Sequence, residues 1–173
     1  MGNTKLKYCL VVTSDSVFRG EKEDRITPYV RGALEERGLI LVESRIVPNS
    51  LPTIASVILR LVLQAGCDVV IVSGGTGPGY KDFTAHAVRL IASKCLPGYG
   101  EEFRRRSIED IGIAGSLSRA EACVGPHGAA IFTTPGNPGS LRLALEIITE
   151  LGEHIVYQAR YGRHPHQKHK GHY

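Results

Sequence analysis

The sequence predicts a single three-layer α/β domain, with a mostly parallel sheet covered by helices on both faces. Segments with strand composition alternate along the chain with segments of helical periodicity. The strand segments are continuous apolar runs, which is typical of parallel strands that are buried on both sides. The length of 173 residues fits one domain. We divide the chain into a domain at 1–159 and a basic, histidine-rich tail at 160–173.

Strands are predicted from apolar segments rich in valine, isoleucine and leucine. They are residues 6–13, 39–47, 67–73 and 129–133, with a shorter β-like run around Cys123. In parallel sheets ligands bind at the carboxyl ends of the strands. The three loops at 14–24, 74–84 and 134–139 are therefore the candidate site.

Helices are predicted between the strands from apolar spacing and from residues that favour helix ends. Their expected caps, in chain order, are Thr27, Asn49 or Ser50, and Asp82 or Thr84. Pro97-Gly98 is expected to break the third helix, which places Cys95 late in that helix. Further helices are predicted at 101–108, 140–151 and 153–159, and a charged loop at 14–24.

The charge distribution argues against a nucleic-acid-binding fold. The formal net charge is +4, and four basic residues after position 159 account for all of it (Arg160, Arg163, Lys168 and Lys170). Residues 1–159 carry no formal net charge, whereas a surface that binds nucleic acid is expected to be basic. The tail histidines His164, His166, His169 and His172 could bind a metal irregularly, or the tail could contact nucleic acid or another anionic partner. A disordered, solubilising end is the simpler expectation.

Two features of the sequence indicate the cellular compartment of the protein: the setting of its four cysteines and the length of its apolar runs. Cys9, Cys67, Cys95 and Cys123 are far apart in sequence and contain no C-x-x-C pair. Each lies in an apolar segment, so we expect buried thiols rather than disulfides or a zinc site. No apolar run is long enough to cross a bilayer, and the first residues lack a signal-peptide pattern. We therefore expect a cytoplasmic protein.

The segment VVIVSGGTGPGYKDFT, residues 69–84, is the most unusual part of the chain. Three glycines within positions 74–77 let backbone N–H groups turn toward an anion, although a tight turn without a ligand is an equal alternative. Neither the Walker A nor the dinucleotide-binding spacing is present. A carboxylate beside a phosphate site repels the phosphate unless a cation bridges them, and Mg²⁺ is the usual bridge. Asp82 is therefore a candidate Mg²⁺ ligand. Asp82 could otherwise cap a helix, and Lys81 could be a solvated turn residue.

Five ordered motifs resemble the molybdenum-cofactor biosynthesis proteins of the MoaB/Mog type over about residues 7–155. They are Ser14-Asp15 with Gly20 and Asp24; Ser73-Gly74-Gly75-Thr76-Gly77 with Asp82 and Thr84; Pro97-Gly98 with Glu101 and Ser107; Leu117-Ser118-Arg119; and Pro135-Gly136-Asn137-Pro138. The resemblance implies a doubly wound α/β domain that binds molybdopterin and forms a trimer or a hexamer. It also implies that Mg-ATP adenylylates the terminal phosphate of molybdopterin and that pyrophosphate is released.

The resemblance assigns roles to residues of this chain. Asp82 and Asn49 occupy the catalytic positions, and Asp82 and Asp24 those of metal ligands. The expected pterin- and phosphate-binding residues are Ser73, Gly74, Gly75, Thr76, Gly77, Ser107, Ser118, Arg119, Gly136, Asn137 and Pro138. Asn137 would present its amide to the edge of the heterocycle. Each position also has an ordinary structural explanation, as a turn, a helix end or a loop residue.

Two positions depart from the family pattern. Active relatives have Pro-Asp after the second strand, whereas this chain has Pro48-Asn49, and Arg25-Ile26 replaces a family glycine. An amide oxygen can coordinate Mg²⁺ but contributes no charge, so metal binding should weaken. Asn49 also suits a helix cap. The alternative hypothesis is therefore a non-catalytic molybdopterin-binding protein of the same fold.

Overall fold

A computed structural model describes residues 5–162, which fold into six strands and six α-helices. The strands are β1 (Lys7–Thr13), β2 (Ile40–Val47), β3 (Val69–Ser73), β4 (Lys94–Leu96), β5 (Ala122–Val124) and β6 (Ala130–Thr134). The helices are α1 (Asp15–Phe18), α2 (Ile26–Glu35), α3 (Leu51–Leu63), α4 (Thr84–Ile91), α5 (Pro97–Ile111) and α6 (Pro138–Tyr161). A 3₁₀ segment at Gly112–Leu117 follows α5, and a shorter one lies at Pro126–Gly128.

The six strands form one mixed sheet in the order β2-β1-β3-β6-β5-β4. The first four strands of this order pair in parallel, and β5 and β4 extend the sheet with antiparallel pairs. Strands β1, β3 and β6 are central and apolar, and β3 and β6 are buried along their whole length. The predicted mostly parallel sheet is confirmed, and its four parallel strands end at the same edge.

The sheet separates two hydrophobic cores, which confirms the three-layer arrangement. Alternate residues of β1 point to opposite faces: Leu10 packs with residues of α2, α5 and α6, and Val11 with residues of α3 and α4. Helix α6 contributes the longest apolar stripe, including the fully buried Leu141 and Ile148. Because both faces are covered, a ligand can reach the sheet only at its edges or strand ends.

Several predicted boundaries were wrong. Cys95 lies in β4, not late in a helix, because α4 ends at Ile91 and the chain pairs with β5. Pro97 begins α5 instead of interrupting a helix, since proline is well tolerated in the first turn. The two helices predicted near the C-terminus are one continuous helix, α6. The four tail histidines lie outside the described residues.

The predicted helix caps of α2 and α4 were wrong, whereas Ser50, one of the two residues predicted for α3, does occupy the N-cap position. Asp24, rather than Thr27, accepts the N–H groups of Ile26 and Thr27 at the start of α2. The N-cap position of α3 is Ser50 and that of α4 is Phe83, and neither makes a side-chain capping bond. The loop predicted at 14–24 contains the short helix α1, capped by Ser14.

The four cysteines form two disulfides, so the expectation of free thiols was wrong. Cys9 in β1 is bonded to Cys67, which lies just before the neighbouring strand β3. Cys95 and Cys123 face each other in the β4–β5 register and are also bonded. Neither disulfide could be predicted from the spacing of the cysteines in sequence, because the pairing of strands in the sheet brings these residues together.

Membrane insertion finds no support in the part of the chain described here. Among residues 5–162 no helix combines the length and the apolar character needed to span a bilayer.

Candidate functional site at the carboxyl edge of the sheet

The loops after β1, β3 and β6 meet at one edge of the sheet, as the parallel topology requires. The N–H of Gly74 donates to the carbonyl of Thr134 (2.8 Å), and the N–H of Ser14 donates to that of Val47 (3.0 Å). A Cβ added to Gly136 would lie 3.2 Å from the Cα of Gly74. The Pro-Gly-Asn-Pro turn therefore packs directly against the glycine loop, 74–79. The structure brings together the three loops that the sequence singles out.

Glycine is required at positions 74 and 75 by backbone angle and by close packing. Gly74 and Gly75 have φ of +103° and +63°. A Cβ at Gly74 would meet the backbone and hydroxyl of Thr13, and one at Gly75 would lie 2.5 Å from the Oγ1 of Thr84. The Thr84 hydroxyl donates to the carbonyl of Gly74 (2.7 Å) and fixes the loop on the first turn of α4. The loop is thus built as a tight, rigid turn.

The glycine loop leaves consecutive backbone donors free. Within residues 5–162, the N–H groups of Gly75, Thr76 and Gly77 have no protein acceptor. Unpaired N–H groups in a turn that precedes a helix form a concave site for an anion, and the helix dipole adds to it. Of the two interpretations the sequence left open, the geometry favours an anion cradle.

Asp82 and Arg119 hold the far side of this loop. The Oδ2 of Asp82 accepts the N–H of Gly79 (2.9 Å), and it would lie 2.8 Å from a Cβ at Gly77 or Gly79. Arg119 donates to the carbonyls of Gly77 (3.0 Å) and Asp82 (2.5 Å), and its own N–H donates to that of Thr76 (2.8 Å). The predicted ligand-binding arginine therefore holds the loop backbone, and Asp82 is not a helix cap.

Asn49 lies against the opposite side of the glycine loop. A Cβ at Gly75 would lie 3.5 Å from its Oδ1, and this oxygen is buried and has no hydrogen-bond partner within the described range. The N–H of Asn49 donates to the Oδ1 of Asp15 (2.8 Å). The expected capping role of Asn49 was wrong, because Ser50 occupies the N-cap position of α3, so capping does not explain the Asn49 side chain. A buried polar atom without a partner indicates a missing water, ion or ligand.

Asp15 and Lys81 form an ion pair next to Asn49. The Nζ of Lys81 lies 3.6 Å from the Oδ2 of Asp15. The N–H of Asn49, with the charge of Lys81, lowers the pKa of Asp15 below its ordinary value. The carboxylate is therefore ionised at neutral pH. Lys81 links the glycine loop to the loop after β1 and is not simply a solvated turn residue.

Asp24 has a structural role in this chain. Its Oδ1 caps α2 through the two N–H groups of Ile26 and Thr27 (2.9 and 3.0 Å). Among the described residues, neither Asp24 nor Asp82 belongs to a group of three close metal-binding side chains. The metal role of Asp24 thus gains no geometric support, since capping already explains its position.

A cavity of about 200 Å³ opens beside the glycine loop, and five of the eleven predicted pterin- and phosphate-binding residues line it. Its lining includes Thr76, Gly77, Ser107, Ser118 and Asn137. Apolar side chains complete the wall, among them Phe103, Ile111 and Leu117. Larger surface clefts exist, such as one of about 480 Å³ between α2 and α6, but none of the predicted site residues lines that cleft. Mostly apolar walls with a few polar groups are typical of sites for flat heterocycles.

Two of these residues already have local hydrogen bonds. The Oδ1 of Asn137 accepts the N–H of Ser140 (2.9 Å) and caps α6, and its Nδ2 donates to the Ser140 hydroxyl (2.9 Å). The Oγ of Ser118 accepts the N–H of Ala120 (3.2 Å). Pro138 is the first residue of α6. The Asn137 amide is therefore held by the helix start and is not freely presented to a heterocycle.

Comparison with known proteins identifies the family. The probable molybdopterin binding domain matches residues 9–154, which is most of the chain. The chain belongs to the molybdopterin-binding domain family. "Molybdenum cofactor biosynthesis protein B" of Bacillus subtilis is 37% identical over 155 residues, covering 88% of this chain and 89% of that protein. "Molybdopterin adenylyltransferase" of Pyrococcus furiosus is 31% identical over 157 residues, covering 89% and 91%.

Solved structures of the molybdopterin-binding family share the fold. The tungsten cofactor synthesizing protein MoaB of Pyrococcus furiosus superposes with a TM-score of 0.82 at 31% identity, covering 92% of this chain and 99% of that one. The MoaB enzyme of Thermus thermophilus gives a TM-score of 0.81 at 26% identity, covering 91% and 98%. The predicted resemblance and fold class are confirmed.

Asp15, Lys81 and Thr13 are the site residues to which sequence reasoning gave no role. Asp15 was visible only as part of the Ser14-Asp15 motif, and nothing in the sequence places it beside Asn49, 34 residues away. Thr13 approaches Gly74 because β1 and β3 are neighbours in the sheet. The predicted parallel topology could have located these residues, because it puts the ends of β1, β2 and β3 side by side.

Proposed function

We propose that this protein is a Mg²⁺- and ATP-dependent molybdopterin adenylyltransferase of molybdenum cofactor biosynthesis. One observation carries the proposal: among the described residues, the N–H groups of Gly75, Thr76 and Gly77 are unpaired, and the buried Oδ1 of Asn49, which also has no partner there, lies beside Gly75. Relatives named molybdopterin adenylyltransferase support the activity. The substrates are molybdopterin and ATP, and the products are adenylylated molybdopterin and pyrophosphate.

In the proposed reaction, a phosphate oxygen of molybdopterin attacks the α-phosphorus of ATP. A new P–O bond forms, the bond between the α- and β-phosphates breaks, and pyrophosphate leaves with the bonding electrons. Positioning and charge neutralisation dominate the catalysis of such transfers. The N–H groups of the glycine loop hold phosphate oxygens, and Thr76 adds a hydroxyl donor. The pterin ring occupies the neighbouring cavity, where Ser107 and Ser118 border it.

A magnesium ion fits the oxygen atoms at this edge. The Oδ1 of Asn49 and the carboxylate of Asp15, which accepts the Asn49 N–H, are hard oxygen donors of the kind that Mg²⁺ takes, and Asp82 offers a further carboxylate on the other side of the loop. The unpartnered Asn49 oxygen is the structural observation that supports this fit. When bound, Mg²⁺ would supply charge neutralisation on the nucleotide phosphates. In this chain Asp15 supplies a negative charge beside the position where active relatives carry aspartate.

The enzyme is tested by incubating the protein with molybdopterin, ATP and Mg²⁺ and measuring pyrophosphate. We expect release that depends on both substrates; a reaction without molybdopterin is the control for ATP hydrolysis. Absence of pyrophosphate together with absence of pterin binding would refute the proposal. The unpaired loop amides, the neighbouring cavity and the position of Asp82 beside the loop support turnover.

A non-catalytic molybdopterin-binding protein is the second candidate, and Asn49 is the observation in its favour. An amide at this position adds no charge to a metal site. Pterin binding without pyrophosphate release would favour this candidate. Recovery of release in Asn49→Asp would then locate the cause at this residue, and no recovery would place it elsewhere.

We also propose a cytoplasmic homo-oligomer, a trimer or a hexamer. Exposed apolar side chains support association, among them Ile111 (61% exposed) and Ile113 (78%) beside the cavity and Ile40 (50%) on the edge strand β2. Light scattering after size-exclusion chromatography measures the mass directly. A monomer at all protein concentrations would contradict this part of the proposal.

A further inference from the structure

Cys95, Cys123 and Glu121 form a cluster at the opposite, antiparallel end of the sheet. Cys95 and Cys123 face each other across β4 and β5, and Glu121 precedes Cys123 by two residues. Residues two apart in an extended chain point to the same side. One ligand atom from each of the three residues lies within 4.8 Å of the other two. Because the two sulfurs are bonded to each other in the structure, they must separate after reduction in order to share a metal ion with Glu121.

Glu121 has a free oxygen at this cluster. The residue is only 6% exposed, and Arg89 holds its Oε2 from both Nε and Nη2 (2.8 Å each). The Oε1 is buried and has no hydrogen-bond partner among residues 5–162. Its backbone is fixed as well, since its N–H donates to the Oγ1 of Thr133 (2.9 Å). A buried carboxylate oxygen without a partner is unfavourable and indicates a missing ligand.

The two cysteines are bonded in the structure, and Cys95 is exposed at the sheet edge. A dithiol reductant can therefore reach this bond. It supplies two electrons and two protons, the S–S bond breaks to two thiols, and the dithiol becomes a disulfide. A divalent cation then displaces the two thiol protons, because the thiolate is the metal ligand.

We propose that the reduced protein binds one Zn²⁺ ion through Cys95, Cys123 and Glu121. Two thiolates and one carboxylate are a ligand set that zinc accepts, and water would complete a tetrahedron. Soft sulfur ligands select against Mg²⁺, so this site is chemically separate from the phosphate site at the carboxyl edge. Arg89 orients the carboxylate through its other oxygen, as outer partners of metal ligands do. The oxidised protein does not bind zinc at this cluster.

The test uses the full chain, reduced with dithiothreitol and freed of reductant under inert gas, and then titrated with ZnCl₂. We expect one zinc per reduced chain and none in the oxidised protein. Cys95→Ser and Cys123→Ser should lose the ion, and Glu121→Gln should bind at least about tenfold more weakly, since even outer-shell changes have that effect. The matched control is Cys9→Ser with Cys67→Ser, because this pair is buried and belongs to no metal-binding trio in the described chain. The control variant should bind zinc like the parent.

A second measurement needs no substitution. Zinc should protect Cys95 and Cys123 of the reduced parent protein from alkylation by iodoacetamide, while the rate at Cys9 and Cys67 stays unchanged; peptide mass spectrometry reads each site. Equal protection at both pairs, zinc uptake by the oxidised chain, or undiminished uptake in folded Cys95→Ser would overturn the proposal. Adenylyl transfer is not a readout of this experiment, so its outcome is independent of the proposed function.

Discussion

Replacing Arg119 with alanine tests whether this residue holds the glycine loop or contacts a ligand. Its guanidinium donates to the carbonyls of Gly77 and Asp82, across the far side of the loop. Hydrogen bonds from a charged donor contribute about 1.5–3 kcal/mol each. Arg119 is half-buried, so solvent replaces part of this, and we expect Arg119→Ala to lower the free energy of unfolding by about 2 kcal/mol. The hydrogen-bonded loop amides of Gly79 and Asp82 should also exchange faster.

Urea denaturation and amide hydrogen exchange measure these two effects. Arg119→Lys keeps the positive charge, but its single ammonium group cannot replace the planar guanidinium that donates to two carbonyls at once. Its stability and loop exchange should therefore resemble those of Arg119→Ala. Arg142→Ala, an exposed arginine on α6, is the matched control and should leave loop exchange unchanged. If Arg119→Ala weakens ligand binding while stability and loop exchange stay as in the parent, and lysine restores binding, then Arg119 contacts the ligand and the present reasoning is refuted.

Three further predictions concern the loop, the candidate catalytic residue and the acid limit of stability. Gly75→Ala should weaken nucleotide binding and lower the free energy of unfolding by about 1–2 kcal/mol. The reason is that φ at this position is +63° and that the new Cβ would meet the Thr84 hydroxyl. Unchanged nucleotide binding in calorimetry would contradict this prediction. Asp82→Ala should abolish pyrophosphate release while circular dichroism stays unchanged, with exposed Glu150→Ala as the active control; retained turnover would remove Asp82 from the mechanism. Hydrogen bonds from Arg105 and Arg106 lower the pKa of Glu102 from 4.5 to about 2, so this carboxylate stabilises the fold above pH 4.5 and ceases to do so as the pH falls toward 2. In acid titrations, the free energy of unfolding of Glu102→Gln should therefore fall less than that of the parent as the pH drops from 4.5 toward 2. Parallel stability curves for the two proteins would contradict this prediction.

The sequence predicted the parallel half of the fold well because that half consists of long apolar strands. Residues 6–13 and 39–47 were placed to within one residue, since continuous burial leaves a clear pattern. The antiparallel edge was harder, because β4 has only three residues and two of them are exposed. Short edge strands are defined by their partner rather than by their own composition. Cys95 was misassigned for that reason.

The candidate site was predicted more completely in its residues than in their roles. The loops at 74–84 and 134–139 meet as expected, but Arg119, Asn137 and Asp24 turned out to bind backbone groups. Conversely, Asn49 was expected to cap a helix, and its oxygen instead has no partner in the described structure. A sequence shows which side chains could donate or accept, whereas only the fold shows which of them are already occupied.

The continuous α6 connects the two ends of the molecule. It starts with the Asn137 cap beside the glycine loop and reaches Arg160, whose guanidinium pairs with Asp68 (2.6 Å) just before β3. Its 24 residues span about 36 Å at 1.5 Å per residue. A fluorophore or surface tether attached after Gly162 would therefore begin far from the glycine loop, so immobilised or labelled protein should leave the candidate site accessible.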